Sequence, residues 1–175
     1  MGIDKIKDSL GEFAKDIKLN LSSVLTEEGA PDLKQHQIYG IALSCAYATK
    51  NPELVKALEE DVGEKLTPQE VKAAKAAATL MAMNNVYYRF VHLVGDAEFS
   101  KMPARLRMNF IGNPGIPKVD FELYSLAVSA INGCGKCIEA HSRIVQEQGL
   151  SKTAVQSAVR IAAVINATAQ ALSTK

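Results

Sequence analysis

Tryptophan is absent and only 6% of the residues are aromatic. A core without large rings has to close on small side chains, and the abundant alanine favours close-packed helices. Charge of either sign is not in excess: the formal net charge is +1, which gives no reason to expect nucleic acid or an anionic membrane surface as a partner. Long apolar runs are missing as well. Uncharged stretches such as Ala76 to Tyr88, with 13 residues including Asn84 and Asn85, fall short of the roughly 20 needed to span a bilayer. The opening residues become amphipathic at once, without the pattern of a secretory leader. Ile6 stands where a myristoylation signal at Gly2 would need Ser or Thr. A soluble, cytoplasmic protein is expected, with no membrane association. Cysteine is scarce, with 3 in the chain. In a reducing compartment a close pair of them points to catalysis or metal binding rather than to a structural staple.

No segment alternates with the period of a strand, and the expectation is an all-α fold. The 175 residues suit a single domain, 1–175, long enough to bury a real core. Ile3, Ile6, Leu10, Phe13 and Ile17 space one amphipathic helix. Ser22 to Asp32 reads as loop, and helix resumes near Leu33 with Ile38, Ile41, Ala42 and Cys45 inward. Cys45 has no spaced polar partner and reads as a small core residue. Asn51-Pro52 and Thr67-Pro68-Gln69-Glu70 are helix starts, the second with the spacing of a capping box. The Ala-rich helix it opens should run to about Arg89. Val94 to Lys118 is the main irregular connection, and Ser151 should cap a last helix reaching about Leu172. A weak internal repeat, about 33–92 and 119–172, pairs Thr67 with Ser151 at an offset of 84. On that register Glu122, Cys134, Cys137 and His141 correspond to Ile38, Lys50, Glu53 and Ala57, a helical frame without the chemistry.

The chemistry gathers in Phe121 to Gly149. Leu123, Leu126, Ala127, Ala130 and Ile131 form one helical stripe; Cys137, Ile138, His141, Ile144 and Val145 form another. Asn132-Gly133 between them is a turn signal. In the resulting hairpin Glu122, ten residues before Asn132, and His141, nine after it, lie at matching distances from the turn. His141 and Cys137 are four apart on one helix and share a face. Cys134 and Cys137, three apart, can close a disulfide. A carboxylate that orients an imidazole, which in turn takes a thiol proton, yields a thiolate nucleophile. The helix start favours both thiolates; the position of His141 one turn beyond Cys137 selects Cys137 as the attacking group. The rival reading is a structural zinc site on Cys134, Cys137, His141 and Glu122. It lacks a second knuckle of ligands, so no bound metal is expected. Glu122 alone would read as a solvated acid at a helix start. His36 and His92 have no spaced partner, and Arg105 and Arg107 fit a loop contact or a subunit contact equally well.

Glu122, Cys134, Cys137 and His141 at these spacings, with the upstream Met108-Asn109-Phe110-Ile111-Gly112-Asn113-Pro114-Gly115-Ile116-Pro117-Lys118, closely resemble the AhpD-type alkyl hydroperoxidases of the carboxymuconolactone decarboxylase-like superfamily. The resemblance covers nearly the whole chain. It implies the AhpD-like helical fold, a homotrimer and an antioxidant thiol peroxidase. In such a peroxidase the second cysteine, Cys137, attacks the peroxide and becomes a sulfenic acid; Cys134 then donates a proton and closes the disulfide, with Glu122 and His141 as the relay. It further implies no bound cofactor, with electrons coming from the dihydrolipoyl group of a dehydrogenase-complex protein and passing to a peroxiredoxin. Some members carry His where this chain has Lys136. The alternatives are a thiol-disulfide adaptor without useful peroxidase activity and a decarboxylase-like enzyme, for which a redox pair is not needed.

Overall fold

The computed structural model describes residues 2–175. Among them run α1 (Gly2–Ser9), α2 (Lys15–Val24), α3 (Gln35–Thr49), α4 (Pro52–Val62), α5 (Pro68–Leu93), α6 (Ala97–Lys101), α7 (Lys118–Asn132), α8 (Gly135–Glu147) and α9 (Lys152–Ser173), with short 3-10 turns and no strand. The all-α, AhpD-like expectation holds.

α3 and α7 form the centre. Residues 37–46 of α3 and 120–129 of α7 are buried without interruption, so neither helix has a solvent face over those turns. The two pack on each other, and both pack on α5 and α9. Close approach depends on Gly40: a Cβ there would collide with the hydroxyl and ring of Tyr124 on α7. Tyr124 is fully buried and its hydroxyl has no hydrogen-bond partner. Burial, with the charges of Asp120 and Glu70 behind it, pushes that phenol well above the usual tyrosine range. At the start of α7 the buried Asp120 carboxylate accepts from Gln37 Nε2 at 2.6 Å and faces His36 Nε2 at 3.4 Å. His36, given no role by spacing, thus helps tie the start of α3 to the start of α7.

The expected caps are present. Asn51 Oδ1 accepts from the amides of Glu53 and Leu54, Thr67 and Glu70 satisfy each other's amides, and Ser151 Oγ accepts from Ala154 N at 3.0 Å. Each such cap stabilises its helix by about 1 kcal/mol. Cys45 is completely buried, and desolvation drives its thiol far above the usual range, which agrees with a core role.

Boundaries differ from expectation in four places. The first amphipathic stripe is not one helix: it breaks at Leu10-Gly11, leaving α1 and α2 separate and Phe13 66% exposed. The break lets α1 pack on α4, where its Gly2 and Ile3 amides donate to the buried Asp61 carboxylate, while α2 packs on α9. α2 runs on to Val24 inside the expected loop, and α5 continues past Arg89 to Leu93. The short α6 interrupts the irregular connection, its N-terminus capped by Asp96. The helices α3–α5 and α7–α9 follow in the same order, but order alone does not establish the internal repeat.

Candidate functional site

A glycine sets the turn between α7 and α8. Gly133 adopts φ 67° and ψ 33°, a left-handed conformation that costs a residue with a Cβ about 1–2 kcal/mol. Around it Cys134 N donates to Ser129 O and Gly133 N to Ala130 O, both at 3.2 Å, the paired bonds of a Schellman ending. The chain leaves α7 so abruptly that the next residue, Cys134, is already the N-cap of α8. Its Sγ accepts from the Cys137 amide at 3.3 Å, and the two cysteines are joined as a disulfide. Both sulfur-bearing residues therefore sit in the first turn of a helix, where the unpaired amides and the dipole favour negative charge. Cys134 is fully buried, whereas Cys137 keeps 6% of its surface. Attack from solvent can reach Cys137 more readily than its neighbour.

Glu122 and His141 meet across the hairpin as their distances from Asn132 imply. Glu122 Oε2 lies 2.6 Å from His141 Nδ1. The Glu122 side chain is 3% exposed and that of His141 14%, so this pair is shielded from water, unlike a surface ion pair. Glu122 is thus not a solvated acid at a helix start. With Nδ1 engaged by the carboxylate, the neutral imidazole keeps its proton there and leaves Nε2 as the acceptor. His141 shares α8 with Cys137, one turn away.

One wall of the site escaped the sequence reading. It comes from α5, whose residues Asn85, Arg89 and His92 follow the α7–α8 turn step by step. Asn85 Nδ2 donates to Ser129 Oγ at 2.9 Å, and Asn132 Nδ2 donates back to Asn85 Oδ1 at 3.0 Å. Arg89 Nη1 donates to the Asn132 carbonyl at 2.7 Å. His92 covers Gly135, where a Cβ would come within 3.3 Å of its ring. Lys136 reaches back over the Tyr88 ring, 6.0 Å from its centre. The spacing 85, 89, 92 is one helical face, and that was the available signal, hidden because α5 reads mainly as an Ala-rich packing helix. A cavity of about 770 Å³ opens beside this wall and meets the turn at Ile131 and Asn132. Lys50, Lys75 and Arg89 stand around it with a floor of Ala78, Ala82 and Val86.

Among the described residues no group of three or more His, Cys, Asp and Glu side chains is arranged to hold a metal ion, and no helix is long and apolar enough to cross a membrane. Arg105 and Arg107 are exposed, away from the disulfide in sequence and in no ion pair among those residues. Arg105 takes a left-handed backbone with φ 53°.

Residues 97–174, which span α6 to α9 and carry all four predicted site residues, match the carboxymuconolactone decarboxylase family. Proteins named alkyl hydroperoxide reductase AhpD are similar over almost the entire chain. One from Coxiella burnetii is 55% identical over 164 residues, covering 94% of this chain and 93% of the relative. One from Beijerinckia indica is 52% identical over 172 residues, covering 98% and 94%, and one from Rhodospirillum centenum is 54% identical over 172 residues, covering 98% and 91%. Identity at that level along the full helical frame makes this chain a member of the AhpD family, within the carboxymuconolactone decarboxylase group.

Proposed function

We propose that this protein is an antioxidant thiol peroxidase and disulfide reductase that reduces alkyl hydroperoxides through Cys134 and Cys137. The observation that carries the proposal is the shielded Glu122–His141 contact of 2.6 Å, on the same helix as Cys137. A buried carboxylate bound to a single imidazole has little structural justification, because both groups lose hydration. It is useful if the imidazole must present a fixed nitrogen to a proton.

In the reduced form His141 Nε2 takes the Cys137 proton, and the thiolate, already favoured by the helix start, attacks the terminal oxygen of the hydroperoxide. The O–O bond breaks, the alkoxide takes a proton from Cys134 and leaves as alcohol, and Cys137 becomes a sulfenic acid. Cys134, its thiol now ionised, attacks the Cys137 sulfur. The S–S bond forms and hydroxide leaves as water after gaining a proton. The scant exposure of Cys137 suits a small peroxide. Two electrons must then come from outside. A dihydrolipoyl group on a dehydrogenase-complex protein fits as the donor and a peroxiredoxin as a second acceptor, so the disulfide would link the two proteins. No resident cofactor or metal is required by these steps. A homotrimer is the proposed assembly, and light scattering at micromolar concentration should return three times the chain mass.

Single-cysteine variants test the reading. Cys137→Ser should not consume hydroperoxide. Cys134→Ser should react once and leave a Cys137 sulfenic acid that a selective reagent traps, which mass spectrometry detects after one equivalent of oxidant. A pure adaptor gives another pattern: neither variant consumes peroxide, yet one forms a stable mixed disulfide with a partner. A sulfenic acid trapped on Cys134 in the Cys137→Ser protein, and none on Cys137 in the converse, would reverse the two roles.

A further inference from the structure

We propose that Asn85 and Arg89 are positioning residues for Cys134: by pinning the last turn of α7 they keep that thiol within reach of Cys137 while the pair is reduced. The inference rests on the proposed disulfide cycle. It concerns the closing of the S–S bond, a step for which the Glu122–His141 pair has no assigned task.

The need arises when the disulfide is open. Cys137 then carries a sulfenic acid, and the Cys134 thiolate attacks its sulfur: the S–S bond forms, the S–O bond breaks, and hydroxide leaves as water after gaining a proton. Until that moment no covalent bond ties the two sulfur atoms, and Cys134 is placed mainly by its backbone. On the α8 side its carbonyl accepts from Ile138 N at 2.9 Å; on the α7 side its amide donates to Ser129 O at 3.2 Å. The link to α7 runs through Gly133, held in the left-handed conformation, and glycine has more backbone freedom than any other residue. Bonds at helix ends open with little free energy. If the last turn of α7 frays, the bond to Ser129 is lost and Cys134 can swing about that glycine, away from Cys137.

Asn85 and Arg89 oppose that fraying. They stand four apart on α5 and share a face; Ser129 and Asn132 lie three apart in the last turn of α7. Asn85 Nδ2 donates to Ser129 Oγ at 2.9 Å, and Asn85 Oδ1 accepts from Asn132 Nδ2 at 3.0 Å. The clamp therefore grips the side chain of the very residue whose carbonyl receives the Cys134 amide. Asn85 is 1% exposed and Ser129 0%. The remaining donor capacity of the Asn85 amide goes to Met81 Sδ at 3.9 Å, so this buried group is fully employed. Arg89 Nη1 donates at 2.7 Å to the Asn132 carbonyl, one of those that a helix end leaves unpaired, and its charge suits the negative end of the α7 dipole. Apolar side chains would pack α5 on α7 without the cost of burying an amide. A satisfied polar network instead specifies one arrangement of the two helices, here at the turn that carries Cys134.

The test equilibrates the full-length protein with reduced and oxidised glutathione and counts free thiols by mass spectrometry after alkylation. Dithiol protein and oxidised glutathione give disulfide protein and two reduced glutathiones, and the equilibrium yields the effective concentration of Cys134 toward Cys137. Asn85→Ala and Arg89→Met should each lower it about three- to tenfold, the loss expected when a hydrogen bond that orders the turn is removed. Arg89→Lys, which can still donate to the Asn132 carbonyl, should stay within about twofold of wild type. Gly40→Ala, which presses on Tyr124 of the same helix ten residues before Cys134, should also stay within about twofold, so general strain in α7 is controlled for. Arg89 is exposed, so its variants should fold and decide the matter even if Asn85→Ala does not. A wild-type equilibrium in Arg89→Met or in a folded Asn85→Ala, an equal fall in Arg89→Lys and Arg89→Met, or the same fall in Gly40→Ala would each overturn the assignment. The measurement uses no peroxide: a protein inert to hydroperoxides that still shows these shifts would refute the peroxidase reading and leave this one standing.

Discussion

Replacing Glu122 by Gln separates the charge of the proposed relay from its shape. The side chain is 3% exposed, and its one hydrogen-bond partner is His141 Nδ1 at 2.6 Å. Gln fills the same volume, so packing of α7 against α8 is retained. Two things change. The negative charge that compensates the imidazole once it has taken the thiol proton is gone. An amide can also meet Nδ1 with its NH₂, which leaves the ring proton on Nε2 and turns the nitrogen proposed to take the Cys137 proton from an acceptor into a donor. The charge loss and the wrong tautomer both reduce the population of Cys137 thiolate. The second-order rate of the reduced protein with an organic hydroperoxide should fall about ten- to a thousandfold, which is about 1.4 to 4 kcal/mol of barrier. Thermal unfolding should change little, because the variant exchanges a charge-assisted hydrogen bond for a neutral one while relieving the burial of a carboxylate. Stopped-flow rates at neutral pH, beside a melting curve, provide the check. An unchanged rate in a folded Glu122→Gln protein would refute the relay and reduce the contact to a structural one.

Other outcomes follow from the core. Gly40→Ala should destabilise by about 1–3 kcal/mol through overpacking against Tyr124, and Tyr124→Phe, which deletes an unpaired buried hydroxyl, should recover part of that loss in the double variant by chemical denaturation. Cys45 should resist alkylation in the native protein at pH 8 while the reduced Cys137 labels, and quantitative labelling of all three thiols without denaturant would contradict its burial. In alkali the fold holds Cys45 and Tyr124 protonated above their ordinary values of 9.0 and 10.0, whereas the unfolded chain ionises there. The unfolded state then binds fewer protons, so stability present below pH 9 should decline as pH rises through 9 and 10, by at most about 1.4 kcal/mol per pH unit for each group; flat stability to pH 11 would contradict this.

What could be read in the sequence was local in origin. The caps at Asn51, Thr67 and Ser151 depend on residues two or three positions apart, and the structure has them all. The Glu122–His141 contact joins residues 19 apart in the sequence yet was legible, because a glycine turn of known length converts sequence distance into facing positions. Gly11 was the misleading case. Periodicity runs through it from Ile3 to Ile17, but α1 packs on α4, with its first amides on Asp61 about sixty residues away, and α2 packs on α9, so the two halves of the stripe meet different partners. Burial was equally silent: Glu122 and Asp120 look like ordinary acids at a helix start, but α7 is central, and burial begins at Asp120, its third residue.

The α5 wall shows why the site was only half legible. A hairpin brings its own residues together, so Glu122, Cys134, Cys137 and His141 could be related by counting from one turn. Asn85, Arg89 and His92 belong to a helix that precedes the turn by about forty residues, and no local rule says which face of α5 meets α7. That choice is made by packing: Ala73, Ala74, Ala77, Ala78 and Met81 are buried, and they fix the rotation of α5 about its axis. Continued at 3.6 residues per turn, the rotation set by those small residues presents 85, 89 and 92 to the redox turn. The alanines that looked like featureless helix filler therefore decide where the polar groups around the disulfide point. Enlarging one of them would turn the helix and misplace the wall without touching a polar residue.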